Sequence, residues 1–583
     1  MALSQTEPEQ TLRHETPPAP STTLQENDNN SDSAALGVGF LSAALLSACG
    51  GNGNSAGSPA VVSADLARSQ KAAVVAPLSA NDASRFLSQA AFGGNDTDIA
   101  AVQSQGAAAW LQNQFSVATD QPNWAWMMSQ GFNSVADVET TDGIDNSLWR
   151  KLMASPDTVR QRISLALSEI FVVSLEDLPM PWRNFAAAAY MDLLAANAFG
   201  NFRSLLQAVT LSPAMGVYLG TKGNEKEDPA TGREADENYA REVMQLFTIG
   251  LNMLNNDGSV ASGAGGKPIP TFTPTMVTQL AQVFTGWNFA NSAAAVPTSL
   301  QAPMVLNASL HSTSAKSFLG ATIAAGTDGN AALKIALDTL FNHPNLPPFF
   351  GRQLIQRMVS SNPSPAYISR VAAAFISGNG GLRGDMKSVI SAVLTDPEAQ
   401  TSITGLSNSA GKLREPVIRL AQWARTFKAV SASGKWAVGD TTNPSLKLGQ
   451  SPLRSPTVFN FFSPGFVPPN NVLGNPALVA PELQITTEAT VIGYANFLQT
   501  AINGQLADLT PDYSIETAMA SNPANLFNRL NTLLAGGQLS SATATLIQNA
   551  INTIPITSTN GALNRVKAAI MMIMCGPEYI VQK

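Results

Sequence analysis

The chain has few of the residues that most metal and redox sites need. Its 583 residues include only 2 cysteines and 3 histidines, with no paired-cysteine spacing and no His-Glu-x-x-His motif. Because zinc sites are built mainly from cysteine and histidine, this composition excludes an ordinary zinc site. No nucleotide-binding or haem-attachment motif occurs. A divalent cation such as Ca²⁺ or Mg²⁺ needs only oxygen ligands and remains compatible with the sequence.

Charged residues are also scarce, at 13% of the chain against about 25% in typical globular proteins. The 34 Lys and Arg residues are outnumbered by 41 Asp and Glu, which gives a net charge of -7. With no long basic run, the sequence argues against a nucleic-acid partner. The hydrophobic content of 44% is ordinary, and the length is sufficient for a large core.

An apolar run near the N terminus predicts export. Residues 34–48 are uncharged, too few to span a bilayer, and end in Leu-Ser-Ala followed by Cys49. Small residues before a cysteine are typical of a lipobox, so Cys49 is the predicted lipidation site. Acidic residues before the run are atypical of export signals, which leaves an internal helix or a disordered arm as the alternative.

Four regions are expected along the chain. Residues 1–48 are predicted to be a disordered arm with a lipoprotein-type signal segment, and residues 49–80 a flexible tether. Residues 81–430 are predicted to form a main helical domain, and residues 431–583 its C-terminal helical part. The expected location is the cell envelope, as an outer-membrane lipoprotein.

Apolar residues recur at helical spacing through most of the chain after residue 80, whereas strand-type alternation is scarce. The fold class predicted is therefore all-α, a large irregular multi-helix body with long Gly/Pro/Asn-rich loops and few or no strands. Long loops are expected at 221–235, 255–270, 292–313 and 460–481, where binding sites tend to lie. The predicted helices are Ala83–Phe92, Gly106–Phe115, Thr158–Ser174, Phe185–Asn197, Phe202–Thr210, Pro274–Trp287, Ala331–Asn342, Pro347–Ser360, Ala366–Ser377, Asp385–Thr395, Gly411–Lys428, Thr486–Asn503, Ala524–Leu534 and Ala562–Cys575.

The segment 236–250, DENYAREVMQLFTIG, is the best-marked helix of the chain. Asp236 suits the N-cap and Gly250 suits the C-terminal stop. On a 3.6-residue period its polar side chains share one face, and its apolar side chains share the other. The polar face comprises Glu237, Asn238, Arg241, Glu242, Gln245 and Thr248. The apolar face comprises Tyr239, Ala240, Val243, Met244, Leu246 and Phe247.

Together with the residue that follows it, this segment closely resembles the central signature of the uncharacterised bacterial family DUF1800. Blocks on both sides are similar to other parts of that family: Ser84–Phe115, Pro156–Ser174, Leu205–Leu219, Leu280–Trp287, His343–Pro365, Gly411–Leu420 and Ser451–Pro464. The resemblance implies an exported protein, since members are exported and their genes often neighbour one for an exported protein resembling the alkaline phosphatase and sulfatase superfamily. The resemblance therefore implies a possible partner resembling that superfamily, but it implies no molecular mechanism.

One family feature is only partly present. Many members carry His-Asp shortly before a Lys-x-x-Leu-Gly stretch, whereas here His311 is followed by Ser312, before Lys316. A metal-binding or proton-transfer role for such a pair is therefore in doubt in this chain.

The polar face of the signature helix is the candidate site. Glu237, Arg241, Glu242 and, from a following loop, His311 are the candidate catalytic residues; Asn238, Lys316 and Trp287 are the candidate substrate- or partner-binding residues. In a cleft, Glu242 could act as a general base or metal ligand and Arg241 could hold an anion. A solvated face with ordinary ion pairs, or a buried network, is the structural alternative.

Two function classes remain open. The first is a binding or scaffold protein that acts with a secreted partner, and it is favoured by the lack of a complete catalytic motif. The second is a hydrolase or transferase that uses the Glu/Arg/His group, with or without a divalent cation. A loop rich in Phe and Pro, containing Phe459, Phe461, Phe462 and Phe466, could form a partner-docking surface or a hydrophobic plug.

Overall fold

The structure, a computed structural model, describes residues 78–291, 294–407, 409–469 and 478–583. Cys49 and the predicted arm, signal segment and most of the tether lie outside these residues. The described residues belong to one compact unit. No helix in the described ranges is both long enough and apolar enough to cross a membrane.

The described residues are mostly helical, which confirms the predicted fold class. The α-helices are α1 Ala80–Ala90, α2 Asp96–Gln105, α3 Ala107–Gln114, α4 Asn123–Ser129, α5 Ile144–Ala154, α6 Thr158–Ser168, α7 Arg183–Asn197, α8 Phe202–Thr210, α9 Pro213–Tyr218, α10 Asn238–Glu242, α11 Pro274–Ala281, α12 Gly329–Asn342, α13 Leu346–Met358, α14 Pro365–Ile376, α15 Met386–Leu394, α16 Pro397–Gln400, α17 Pro416–Thr426, α18 Glu488–Ile502, α19 Ser514–Met519, α20 Pro523–Ala535, α21 Ser541–Asn552, α22 Gly561–Met574 and α23 Pro577–Ile580.

Within the ranges that the structure describes, eight short strands form four antiparallel pairs: β1 Trp287–Asn288 with β2 Val305–Leu306, β3 Lys316–Phe318 with β4 Ala321–Ile323, β5 Lys412–Leu413 with β8 Val581–Gln582, and β6 Val430–Ser431 with β7 Leu509–Thr510. The β5–β8 pair fixes the chain end against the interior, with Lys412 opposite Gln582. Gly411 precedes β5 with a φ of 96°. A Cβ there would lie 2.2 Å from the Gln582 carbonyl oxygen, so this approach requires glycine.

Two hydrophobic clusters form the interior. The first is built mainly by α1 to α15, and the second mainly by α17 to α22. Helices α5 and α6 contribute side chains to both, so α6 lies where the two clusters meet. All of α6 after its first residue is buried except Arg160, although it carries polar residues such as Gln161 and Arg162.

The signature segment begins as α10 and continues as a π-helix, Val243–Thr248. The N-cap of α10 is Glu237, one residue after the predicted Asp236, although the Asp236 side chain accepts a hydrogen bond from the Asn238 N–H at 2.8 Å. The chain turns at Gly250 with a φ of 69°, as the C-terminal signal predicts. The π-helix was not predicted. Its i→i+5 hydrogen bonding changes which residues share a face, and π-turns are frequent at functional sites.

The predicted polar face is wrong at two positions, of which Thr248 lies in the π-helix and Glu242 in α10. Thr248 is fully buried, and its hydroxyl donates to the Val243 carbonyl within the π-helix. Glu242 is also buried. The predicted apolar face is correct for Tyr239, Val243 and Phe247, which lie in the first cluster, where the Tyr239 and Phe284 ring centroids are 4.8 Å apart.

Candidate functional site

Glu237 and Arg241 form an ion pair on the outer surface. Arg241 Nη2 donates to Glu237 Oε2 at 2.7 Å, and both side chains are more than one third exposed. Thr278 of α11 donates to the other Glu237 oxygen at 2.5 Å. Asn238, beside them, is exposed. These residues therefore take the form of a solvated helix face with an ordinary ion pair.

Glu242 lies on the inner side of the same turn. Burial raises its pKa, and its Oε2 atom has no hydrogen-bond partner among the described residues. Burial, together with the carboxyl groups of Asp177 and Glu242, raises the pKa of Tyr218 to about 12. Glu242 is therefore a buried carboxyl whose charged form is disfavoured by burial, separate from the exposed Glu237–Arg241 pair.

His311 and Lys316 belong to a second buried group. His311 Nδ1 lies 2.9 Å from the Thr285 carbonyl oxygen, and burial together with the Lys316 ammonium lowers the His311 pKa. Lys316 donates to the carbonyls of Ser312 and Ser314 at 2.8 and 2.9 Å. Ser312, which stands where many family members carry an acid, donates at 2.9 Å to Glu227, a carboxylate from another loop.

Helix α11 stands between the two groups of predicted site residues. Its Thr278 bonds to Glu237, and its neighbour Gln279 accepts the Ser317 N–H beside Lys316. Trp287 is buried, with its indole N–H 3.3 Å from the Val283 carbonyl oxygen, so its ring is not open to a ligand. Within the described ranges, no group of three His, Cys, Asp or Glu side chains is arranged to hold a metal ion.

A cleft of about 420 Å³ opens on the other side of the signature segment. It is bounded by the end of α6, the π-helix and its exit, α13, and the loop at 458–465. Apolar side chains dominate its walls, and three of them, Leu251, Val260 and Phe459, are large and exposed. Its lining comprises Glu169, Ile170, Gln245, Leu246, Gly250, Leu251, Asn252, Leu254, Val260, Phe349, Arg352, Gln353, Gln356, Arg357, Val458, Phe459, Ser463, Pro464 and Gly465.

Buried amides hold these walls together. Gln353 donates to the Leu246 carbonyl of the π-helix at 3.2 Å, and Gln356 donates to the Pro464 carbonyl at 3.3 Å. Asn345 donates to the carbonyls of Ile249 and Asn252 at 2.9 and 2.8 Å, which fixes the chain where it leaves the π-helix. The cleft is therefore a preformed feature of the fold.

Six buried charged residues form the floor of the cleft and the region behind it. We call Arg162, Glu169, Arg357, Lys412, Glu415 and Glu482 the charged floor. Lys412 Nζ lies 3.2 Å from Glu415 and 3.0 Å from Glu482. Arg357 Nε lies 3.1 Å from Glu169 Oε2, close enough for an ion pair but outside hydrogen-bond angles. Lys412 and Arg162 both donate to the Arg357 carbonyl, at 2.9 and 2.6 Å.

The pKa values of the two central carboxyls of the charged floor, Glu169 and Glu415, are shifted in opposite directions. Burial, reinforced by the negative charge of Glu415, raises the Glu169 pKa well above its usual range. Burial would also raise the pKa of Glu415, but Lys412, Glu169 and Arg162 outweigh it and lower that pKa to about 2. Burial therefore disfavours the charged form of Glu169, whereas the neighbouring cations favour the charged form of Glu415.

Arg352 lies on the wall of the cleft and makes no side-chain hydrogen bond or ion pair with any described residue. It is partly buried, and burial is the cause that lowers its pKa, with no carboxyl group opposing the shift. Arg357 is more deeply buried, and its Nε and Nη1 atoms have no hydrogen-bond partner in the described ranges. The cleft thus combines apolar walls with guanidinium groups that lack carboxylate hydrogen bonds.

Sequence reasoning predicted neither the cleft nor the charged floor. The lining of the cleft nevertheless includes Gln245, Leu246 and Gly250 of the signature segment. It also includes Val260 and Ser463, which belong to two of the loops predicted as binding regions. A signal was present in the α6 sequence, where Arg162 is flanked by apolar residues at helical spacing. The floor also draws on the blocks Pro156–Ser174, His343–Pro365 and Gly411–Leu420 that carry the family resemblance.

Comparison with known proteins gives one match. The model of a family described as "Protein of unknown function (DUF1800)" matches residues 85–581. No curated protein and no solved structure matches the chain. The matched region covers most of the chain and contains every residue of the cleft and the charged floor. The chain therefore belongs to the DUF1800 family.

Proposed function

We propose that this chain is an exported, lipid-anchored protein of the cell envelope that binds a short apolar segment of an exported partner protein in the cleft. The observation that carries the proposal is the cleft itself, with exposed Leu251, Val260 and Phe459 on its walls. Exposed apolar side chains gathered at one concavity are typical of binding sites. A volume of about 420 Å³ suits a ligand of small-molecule size or a few residues of chain.

The lipobox before Cys49 supports export and anchoring in the outer membrane. An exported protein resembling the alkaline phosphatase and sulfatase superfamily, expected from the family resemblance, is the first candidate partner. The cleft favours binding over catalysis, because the residues predicted as catalytic are divided among an exposed ion pair, a buried carboxyl and a buried imidazole.

Quantitative capture of the partner tests the binding proposal. The full chain would be recovered from envelope extracts as wild type, Leu251→Asp and Leu546→Asp. Leu251 is 57% exposed in the cleft, and Leu546 is 61% exposed on α21, outside it. We expect one exported protein at equal stoichiometry with wild type and Leu546→Asp, and its loss with Leu251→Asp. Recovery of the chain alone, or equal recovery with both variants, would contradict the proposal.

Metabolic labelling with a fatty acid tests the anchor. Wild type and Cys575→Ala should incorporate label, and Cys49→Ala should not. Cys575 is a suitable control because its thiol is free and partly buried in the second hydrophobic cluster. Labelling of Cys49→Ala at the wild-type level would remove the lipoprotein proposal.

A further inference from the structure

We infer that the cleft takes the C-terminal end of the partner chain, with its apolar side chains against the walls and its terminal carboxylate on Arg352. The inference rests on the proposed function and names the chemistry that the cleft recognises. It follows from the charge of the lining residues, the guanidinium of Arg352, which is unpaired among the described residues, and the size of the cleft.

The charge of the lining favours an anion. The charged side chains that line the cleft are Glu169, Arg352 and Arg357. Burial next to Glu415 raises the pKa of Glu169, the carboxyl among these side chains, and disfavours its charged form. Two guanidinium groups thus face a space with mostly apolar walls, where an ionic contact is screened less than in bulk water.

Arg352 has the geometry of an anchor. A guanidinium offers five N–H donors in a planar fork that matches a carboxylate in bidentate fashion. The side chain of Arg352 uses none of these donors on any described residue, and it is partly buried next to Phe349 and Gln353 on α13. A bound carboxylate would therefore occupy donors that the described residues leave open at the wall of an apolar cleft.

The size of the cleft favours a chain terminus. A volume of about 420 Å³ holds only a few residues of a polypeptide. A chain end brings apolar side chains and a carboxylate into such a space together, whereas a continuing segment offers Arg352 no terminal carboxylate.

Calorimetric titration of the full chain with short apolar peptides tests the inference. The probes are acetyl-Gly-Leu-Phe-Leu with a free C-terminal carboxylate, the same peptide as its amide, and an amidated peptide with one internal Asp. We expect the free acid to bind wild type roughly ten- to a hundred-fold more tightly than the amide, because a hydrogen bond between charged groups contributes binding free energy of that size. Arg352→Gln should bring the affinities for the acid and the amide to the same value, and binding of the amide by this variant reports an intact fold.

Two further variants complete the design. Arg352→Lys should give an intermediate ratio, because an ammonium keeps the charge but not the fork. Arg233→Gln is the control, since Arg233 is exposed and paired with Glu225 at 2.7 Å outside the cleft, and it should keep the wild-type ratio.

Each contrary outcome has a distinct meaning. Equal binding of acid and amide would overturn the carboxylate inference while leaving the binding proposal in place. Binding of the internal-Asp peptide as tightly as the free acid would replace a terminal carboxylate by a side-chain carboxylate and would also overturn the inference. If no peptide binds, the inference fails, and capture with Leu251→Asp decides the proposed function separately.

Discussion

Lys412→Met should destabilise the protein far more than removal of an exposed lysine. The Lys412 ammonium lies between Glu415 and Glu482, at 3.2 and 3.0 Å, and donates to the Arg357 carbonyl at 2.9 Å. Methionine keeps an apolar stem of similar length but removes the charge. Both carboxyls would then remain buried without their shared cation, and breaking a buried pair in this way costs about 3–5 kcal/mol.

The pKa of Glu415 gives a second estimate of the same cost. It falls from an ordinary value of 4.5 to about 2, a difference of about 2.5. At 1.36 kcal/mol for each pKa unit, this difference corresponds to roughly 3 kcal/mol of folding free energy at pH 7. Lys412 is the largest of the causes that lower the pKa. We therefore expect Lys412→Met to lose about 3 kcal/mol.

The sign of the pH dependence follows from the lowered pKa. A carboxyl with a depressed folded-state pKa contributes stability above its unfolded value of 4.5, and this contribution is lost as pH falls through about 2. The difference between wild type and Lys412→Met should therefore be largest at neutral pH and shrink below pH 4.5.

Urea unfolding followed by tryptophan fluorescence measures the effect, with Lys334→Met as the control. Lys334 is an exposed lysine paired with Asp338 at 2.6 Å on the surface of α12, and its removal should cost less than about 1 kcal/mol. Equal unfolding free energies for the two variants at pH 7 would refute the reasoning about the charged floor.

Three further predictions concern single groups. The first is Glu169→Gln. Because the pKa of Glu169 is raised, this carboxyl contributes stability that is fully present below pH 4.5 and is lost as pH rises through its folded-state pKa. The variant should therefore gain stability relative to wild type as pH rises above 4.5, and a pH-independent difference would count against this. Glu237→Ala and Arg241→Ala should each change the unfolding free energy by less than about 1 kcal/mol and leave partner capture unchanged. Loss of the partner with either variant would show that the exposed helix face takes part in binding. An NMR titration should place the His311 pKa below 6.5, because burial and Lys316 disfavour its charged form; a value above 6.5 would contradict the buried environment.

Helices that pack one apolar face on the core could be predicted from the sequence. The prediction Phe202–Thr210 is correct at both ends, and Ala562–Cys575 differs by one residue at each end from α22. Shorter helices such as α4 and α9 were not predicted, because one or two turns carry too little periodicity to be recognised. The Thr158–Ser174 prediction ran too long because the apolar run continues after α6 ends at Ser168.

The candidate site was harder to predict because its residues are distant in sequence. Glu169 and Glu415 are separated by more than two hundred positions, and no local pattern shows that their carboxyls share one buried environment. A polar residue in a helical pattern normally indicates an exposed face, whereas Arg162 and Arg357 are both buried. The π-helix is likewise invisible to a 3.6-residue period, so Thr248 was placed on the wrong face.

Site-specific photo-cross-linking tests the central claim, that the cleft is where the partner binds, most directly. A benzophenone amino acid would replace Phe459, 45% exposed on the wall of the cleft, or Ile515, 47% exposed on α19, as the control. In living cells we expect the probe at position 459 to form a single adduct with an exported protein, and the cross-linked peptide should be the C-terminal peptide of that protein. We expect no adduct from the probe at position 515. No adduct from position 459, or equal adducts from both positions, would contradict the account.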